Sequence, residues 1–246
     1  MTSFNSSLFD FQNSAVRESV DHALDIQTSC GAFKLSAFLN ASDPVPAADE
    51  VWAMQNGVIL AVWDLPQARV ELLRASVRPR LPAGMQLDGC EAAVWRYRAR
   101  SDGLALTLRC GWDILPEGAD GGPESGQALD AQTWDVGSQS VTIGTEDSEW
   151  LAQRAARGLW MPQRLESELE TADPYPVTYL SDGLQITLPD LAQGEIGQVH
   201  FVVAWAKRLH EKDASTWFAV DMPPERILEQ AGCIDVLSHQ EPSKSN

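Results

Sequence analysis

The chain has 246 residues, of which 44% are hydrophobic and nine are tryptophan. This composition provides for a sizeable core and excludes a chain that is disordered throughout. The formal net charge of −17 makes binding to nucleic acid or to an anionic membrane surface unfavourable, since both repel an acidic protein.

The N-terminus and the cysteines indicate the compartment. Residues 1–10 have neither a basic segment nor a long apolar run, so we find no signal peptide. No stretch of about eighteen apolar residues occurs, so we expect no membrane span. The four cysteines have no metal-like spacing, which favours free thiols over a framework of two disulfides. We therefore predict a soluble, cytoplasmic protein with free thiols at Cys30, Cys90, Cys110 and Cys233.

The first part of the chain contains one ambiguous segment and one hairpin. Residues 16–26 fit a helix or a strand, and we favour a strand from about residue 20. Residues 51–63 form a predicted hairpin, in which Asn56-Gly57 suits a two-residue type I′ turn. That register places Ala53 opposite Leu60. Both faces of this hairpin are apolar, which predicts a place in the centre of the core or in an oligomer interface.

A second hairpin is predicted over residues 92–112, with its turn at Asp102-Gly103. Alternation places apolar side chains on one face, which we expect to be buried, and basic side chains on the other. The apolar set is Trp95, Tyr97, Leu104, Leu106, Leu108 and Cys110. The basic set is Arg96, Arg98, Arg100 and Arg109, with Arg96 directly opposite Arg109.

The rest of the chain is predicted to hold a third hairpin, two strands and two helices. The hairpin spans 176–188, with its turn at Asp182-Gly183 and one apolar face. Residues 199–206 read as a buried strand and 215–222 as its neighbour. Short helices are predicted at 146–157, capped by Thr145, and at 224–231. We expect loops at 40–50, 78–89, 116–127 and 171–175.

These elements predict an antiparallel β-sandwich of about ten to twelve strands with two short helices. We expect a single domain over residues 1–237, with a subdivision near 116–127 as an alternative. The polar tail 238–246 is predicted to be disordered.

A long stretch without Lys or Arg runs from Cys110 to Gln153. Calcium binds to several oxygen ligands, so Asp120, Glu124 and Asp130 are candidate Ca²⁺ ligands. Their spacing matches no EF-hand, and solvated acidic loops are much commoner, so we favour the structure without a metal or other cofactor.

The four arginines of the second hairpin form a candidate partner or anion site. Like charges directly opposite each other destabilise a hairpin, so something must offset Arg96, Arg98, Arg100 and Arg109. Ion pairs with the chain's own 35 acidic residues are the simpler explanation. An anionic ligand or an acidic protein partner is the alternative.

Three Trp-Asp pairs are candidate sugar-binding elements: Trp63-Asp64, Trp112-Asp113 and Trp134-Asp135. An indole can stack on a sugar ring while a carboxylate accepts its hydroxyl hydrogen bonds, although tryptophans packed in the core explain the pairs more simply. Outside the clear hairpins, Trp134 and Trp160 are the tryptophans we expect to be exposed.

Catalytic motifs are absent from the sequence. His200 alternates with apolar neighbours and is predicted to be a satisfied core histidine, while His22, His210 and His239 have no partner fixed by spacing. We therefore favour a non-enzymatic binding or assembly protein, either a homo-oligomer or one with a protein partner. A carbohydrate-binding or carbohydrate-active protein and a metal-dependent or calcium-stabilised protein are the alternatives.

Overall fold

The computed structural model describes residues 7–11, 15–17, 24–40, 43–54, 56–126, 128–162, 164–165, 176–210 and 213–234. The predictions for residues 18–23, which include His22, for the loop 171–175, for His239 and for the tail 238–246 lie outside these residues.

The strands are β1 (Asp10–Phe11), β2 (Ala15–Arg17), β3 (Ile26–Thr28), β4 (Gly31–Leu39), β5 (Asp43–Pro44), β6 (Glu50–Met54), β7 (Ile59–Asp64), β8 (Ala68–Ser76), β9 (Gly89–Ala99), β10 (Leu106–Trp112), β11 (Asp120–Gly126), β12 (Leu129–Val136), β13 (Gln139–Glu146), β14 (Val177–Leu180), β15 (Gly183–Thr187), β16 (Ile196–Lys207) and β17 (Cys233–Ile234). The helices are α1 (Ser148–Ala156), α2 (Ser215–Val220) and α3 (Pro224–Gln230).

Two antiparallel sheets make up most of the fold. The larger has nine strands in the order β11-β12-β13-β16-β9-β8-β7-β6-β2, and the smaller contains β14-β15-β10-β4-β3 with β5 attached to β4. A separate pair joins β1 to β17. This architecture confirms the predicted antiparallel sandwich. The strands outnumber the prediction because five of them have only two or three residues, too short to show alternation.

The larger sheet is buried on both faces. Its inner face packs against the smaller sheet in a cluster that we call the inner core, which includes Phe33, Trp95 and Leu106. Its outer face is covered by α2, α3 and residues 7–11 in a second cluster, the outer core. Helices on one face of a sheet explain why its central strands lack polar alternation. None of the described helices is long and apolar enough to cross a membrane.

The 51–63 hairpin is present, but its predicted register is wrong by one residue. Ala53 lies opposite Ile59 rather than Leu60, and the chain reverses between Met54 and Val58. A type I′ turn needs two residues with positive φ, whereas here Gly57 has that conformation and Asn56 does not. Alternate side chains of β7 enter the inner and outer cores, which confirms the predicted place in the centre of the core.

The 92–112 hairpin is wrong as a pairing, although its apolar face is correct. The six predicted apolar side chains all lie in the inner core. However, β9 pairs with β8 and β16 in the larger sheet, whereas β10 pairs with β4 and β15 in the smaller one. The chain crosses between sheets near Leu104, which bridges to Leu191. Arg96 therefore lies opposite Glu71 and Gln198, not opposite Arg109.

The third hairpin is confirmed. Val177 lies opposite Ile186 and Leu180 opposite Gly183, so its loop is 181–182, one residue earlier than predicted. The buried strand at 199–206 is also confirmed as part of β16. The predicted loop at 116–127 is partly wrong, because it contains the edge strand β11. Pro123 and the acidic side chains of β11 suit an edge, since they discourage pairing with another chain.

Both predicted helices are present, and a third replaces a predicted strand. The N-cap of α1 is Asp147, whose Oδ1 accepts a hydrogen bond of 2.7 Å from the Trp150 amide, whereas the predicted cap Thr145 belongs to β13. Residues 215–220 form α2 instead of a strand. This helix buries Ala219 and Val220 against the outer face of the larger sheet. The periodicity of so short an apolar segment does not distinguish a helix from a strand.

Candidate ligand-binding pocket

The indoles of the three Trp-Asp pairs lie in the inner core. Trp63, Trp112 and Trp134 are only 3–4% exposed. Trp63 stacks on Trp95 at 5.5 Å between ring centroids, and Trp112 meets Trp134 edge-on at 5.8 Å. The predicted exposure of Trp134 is therefore wrong, because β12 turns this side chain inward. None of the three offers a surface on which a sugar ring could stack.

The carboxylates of the same pairs form ion pairs within the chain. Asp64 contacts Arg100 and Arg69, Asp113 contacts Lys34, and Asp135 contacts Arg208. The three pairs are spread over both sheets, so they do not form one site.

The predicted arginine surface is divided among different environments. Arg96 is fully buried, and its guanidinium lies between two aromatic rings, 4.5 Å from that of Phe9 and 4.1 Å from that of Trp160. It donates hydrogen bonds of 2.7 Å to Gln198 Oε1 and to the Leu8 carbonyl. Trp160, predicted to be exposed, is half-buried by this contact.

The other three arginines do not join Arg96. Arg100 pairs with Asp64 and Arg109 with Asp182, which confirms pairing with the chain's own carboxylates at these two positions. Arg98 is exposed on β9. The four side chains therefore do not form a common anion or partner site.

The candidate calcium ligands also diverge. Asp120 and Glu124 share one face of β11, whereas Asp130 lies opposite Ser125 and projects to the other face. Asp130 Oδ1 accepts a hydrogen bond of 2.6 Å from the Tyr179 hydroxyl, and burial raises the pKa of this carboxyl. Within the described ranges, no group of three or more His, Cys, Asp or Glu could hold a metal ion. All four cysteines are free thiols, as predicted.

A pocket of about 190 Å³ opens on the outer face of the larger sheet. Its floor is formed by the ends of β12 and β13 together with β16, and its wall by α1 and the residues that follow α2. Apolar walls come from Leu129, Val220 and Met222, while Glu146 and His200 contribute polar groups.

Strand register brings Glu146 and His200 together. Gly144 on β13 lies opposite Val202 on β16, so two residues further on Glu146 lies beside His200 on the same face. The distance from Glu146 Oε2 to His200 Nδ1 is 3.6 Å, and both side chains are buried. The predicted burial of His200 is confirmed.

Helix α1 holds Glu146 through Arg154. The guanidinium forms a buried ion pair with Glu146 Oε2. It also donates to the carbonyls of Leu159 at 3.2 Å, Gln198 at 3.0 Å and Trp160 at 3.4 Å. A planar guanidinium bound to four acceptors has little freedom, so Arg154 fixes the position of the carboxylate.

The polar atoms of the pair are only partly satisfied. Glu146 Oε1 receives no hydrogen bond from the described residues, although it is buried. His200 Nδ1 faces Glu146 Oε2 at 3.6 Å, an electrostatic contact slightly longer than a normal hydrogen bond. Burial raises the pKa of the Glu146 carboxyl, but His200 and Arg154 more than offset this, so the pKa lies below its usual value and the group is ionised at neutral pH.

The rim of the pocket combines an aromatic ring with a second carboxylate. Trp150, in the first turn of α1, is 37% exposed, and Asp221 after α2 is exposed as well. Ala128, which also lines the pocket, has a φ of 63°, a conformation that costs a non-glycine residue energy. Sequence reasoning missed this site because its members are far apart along the chain and match no motif.

Comparison with known proteins adds little. No family model matches the chain, and neither does any curated protein. One solved structure with a similar arrangement is described as a putative kojibiose phosphorylase from human microbiome. It is 8% identical with a TM-score of 0.47, and the match covers 85% of this chain but 29% of the other. A likeness of this size says nothing about function.

Proposed function

We propose that this protein binds a small, neutral molecule in the pocket formed by Glu146, His200 and Trp150. The observation that carries the proposal is the buried Glu146 Oε1 atom in the pocket wall beside His200, to which no described residue donates a hydrogen bond. An unsatisfied buried polar group costs about 1–3 kcal/mol, so such groups at a pocket wall suit a ligand or a ligand-bound water that completes their hydrogen bonds.

The charges of the pocket favour a neutral ligand. Arg154 neutralises Glu146 and has its other donors engaged by carbonyls, so it offers no free group to an anion. Glu146 is neutralised in the same way, and the exposed carboxylate of Asp221 at the rim is a charge that solvent and salt screen. Because the ion pair is held by α1 and β13, the site is formed before any ligand arrives, as is usual for small-molecule sites.

Binding through the pocket replaces assembly as the leading hypothesis. The sequence favoured assembly through an arginine face that could bind an acidic partner and a hairpin with two apolar faces. However, Arg96 is buried, Arg100 and Arg109 are paired within the chain, and the hairpin lies in the core. A protein partner or homo-oligomer stays a prediction without that electrostatic support.

A thermal-shift screen tests the proposal with the wild type, His200→Gln and the control His210→Gln, an exposed histidine outside the pocket. The screen uses sugars, nucleosides, amino acids, polyamines, inorganic anions and divalent cations. A ligand at a hundred times its Kd stabilises the protein by about 2.7 kcal/mol. Each shift is taken relative to the same variant without ligand, so a lower baseline in His200→Gln does not matter.

We expect a neutral compound to stabilise the wild type and His210→Gln alike and to bind at least tenfold more weakly to His200→Gln. Equal shifts in all three proteins would place the ligand elsewhere. The absence of any shift would indicate that Glu146 Oε1 is satisfied by permanently bound water, and it would overturn the proposal.

A further inference from the structure

We infer that the ligand of this pocket is a single ring of a neutral sugar, stacked on Trp150 and hydrogen-bonded through its hydroxyl groups to Glu146 and Asp221. This inference rests on the proposed function and names its ligand class. It also moves the sugar-binding hypothesis from the buried Trp-Asp pairs to a tryptophan that is accessible.

The first argument is the presentation of the indole. Trp150 is the only tryptophan that lines the pocket, and more than a third of its surface is exposed. Its backbone is fixed because Asp147 caps α1 through the Trp150 amide. A large, rigid aromatic surface at a pocket rim can bind the C–H face of a sugar ring at little cost in conformational entropy.

The second argument is the balance of donors and acceptors. Glu146 Oε1 and the carboxylate of Asp221 are acceptors, and the nearest cation, Arg154, is fully engaged. A ligand that matches this set brings several hydrogen-bond donors and no negative charge. Hydroxyl groups meet both conditions, whereas phosphate, sulfate and carboxylate ligands would face the acceptors with further acceptors.

The third argument is the combination of size and polarity. Pockets for drug-sized molecules measure about 300–1,000 Å³, whereas this one has about 190 Å³. It therefore has room for one ring, and any further sugar units would extend past Trp150 into solvent. Its walls at Leu129, Val220 and Met222 are apolar, so the ligand has one apolar side as well as polar edges. A pyranose ring has this amphipathic form.

The test is a fluorescence and calorimetric titration with monosaccharides and disaccharides of glucose, galactose, mannose and N-acetylglucosamine. Adenosine, putrescine and phosphate serve as probes of other classes. The proteins are the wild type, Trp150→Leu, His200→Gln and the control Phe218→Leu. Phe218 is an exposed aromatic residue on α2 that does not line the pocket. Because Trp150 is exposed, its replacement should leave the melting temperature close to that of the wild type.

We expect at least one neutral sugar to bind the wild type and Phe218→Leu equally and to bind Trp150→Leu at least tenfold more weakly. Binding of a different class, lost in His200→Gln but unchanged in Trp150→Leu, would overturn the sugar inference and leave the proposed function intact. If no probe of any class binds, both fail. If a sugar binds equally well to Trp150→Leu and His200→Gln, its site is elsewhere and the inference is wrong.

Discussion

The guanidinium of Arg154 and the carboxylate of Glu146 form an ion pair with both side chains almost fully buried. The pair joins the first helix to the end of β13, and its Glu146 member lines the pocket. Removing one member of a buried pair leaves the other charge uncompensated, which costs more than the pair itself contributes. The stability of the fold should therefore depend on it.

We expect Glu146→Gln to lower the free energy of unfolding by about 3–5 kcal/mol, because it leaves the Arg154 guanidinium buried without its counter-charge. The matched control is Glu149→Gln, an exposed acidic residue three positions along the chain. It should change stability by about 0.3–1 kcal/mol, the usual contribution of an acid in the first turn of a helix. Urea unfolding followed by circular dichroism measures the unfolding free energy of both variants. Equal losses would show that the buried ion pair stabilises the fold no more than an exposed carboxylate does.

The pH dependence of stability should report the same carboxyl. The pKa of Glu146 is lower in the folded protein than its ordinary value of 4.5. A carboxyl with a lowered pKa stabilises the fold above its unfolded pKa, and this contribution is lost as the pH falls through the folded pKa. The difference in unfolding free energy between the wild type and Glu146→Gln should therefore shrink as the pH falls below 4.5.

The wild type must be compared with Glu146→Gln because other carboxyls change the free energy of unfolding with pH in the opposite direction. Burial raises the pKa of Glu91 and Asp130, so their ionisation costs stability as the pH rises. These contributions are present in both proteins and cancel in the difference. A difference that stays constant from pH 3 to pH 7 would contradict the ionised Glu146.

Arg96 should be a structural residue rather than a partner-binding one. Its replacement by leucine removes two hydrogen bonds and the contacts with Phe9 and Trp160 that hold the segment 7–11 on the sheet. We expect Arg96→Leu to lose about 2–6 kcal/mol, because Gln198 Oε1 and the Leu8 carbonyl each lose a buried donor at about 1–3 kcal/mol. Arg98→Leu, two residues along the same strand and exposed, should stay within about 0.5 kcal/mol of the wild type.

The buried tryptophans should matter for stability and not for ligand binding. We expect Trp134→Ala to cost about 3–5 kcal/mol through the cavity it leaves in the inner core. Trp150→Ala should cost far less, because its ring is partly in solvent. Thermal unfolding of both variants, together with sugar titration of each folded protein, separates the two roles. A sugar response that depends on Trp134 but not on Trp150 would reverse our assignment.

The predicted homo-oligomer should not respond to salt. Because Arg96 is buried and Arg100 and Arg109 are paired within the chain, little of the predicted arginine face is left to join subunits. Light scattering should give the same particle mass at about 0.05 M NaCl, where charges are weakly screened, and at about 1 M NaCl, where they are strongly screened. Dissociation at high salt would restore the electrostatic assembly that the buried Arg96 argues against.

Side-chain patterns along single strands were predictable from the sequence. The alternation of Trp95 and Tyr97, the apolar face of the 176–188 hairpin and the buried character of β16 all appear as expected. They depend on the two-residue period of a strand and on the contrast between apolar and polar side chains, which are local properties. The existence of α1 and α3 was predictable from local helix-end signals, namely acids in the first turn and Gly158 after α1, and Pro224 at the start and Gly232 after α3.

Which strands pair, and which side chains meet, was decided by the tertiary structure. The Asp102-Gly103 turn looks like a hairpin, yet the strands on either side of it belong to different sheets, because each has longer partners elsewhere. The pocket has the same origin: Glu146, Arg154 and His200 are brought together by one register and one helix. Local sequence determines which face of a strand is apolar, but the partner of that face is selected by burial over the whole molecule.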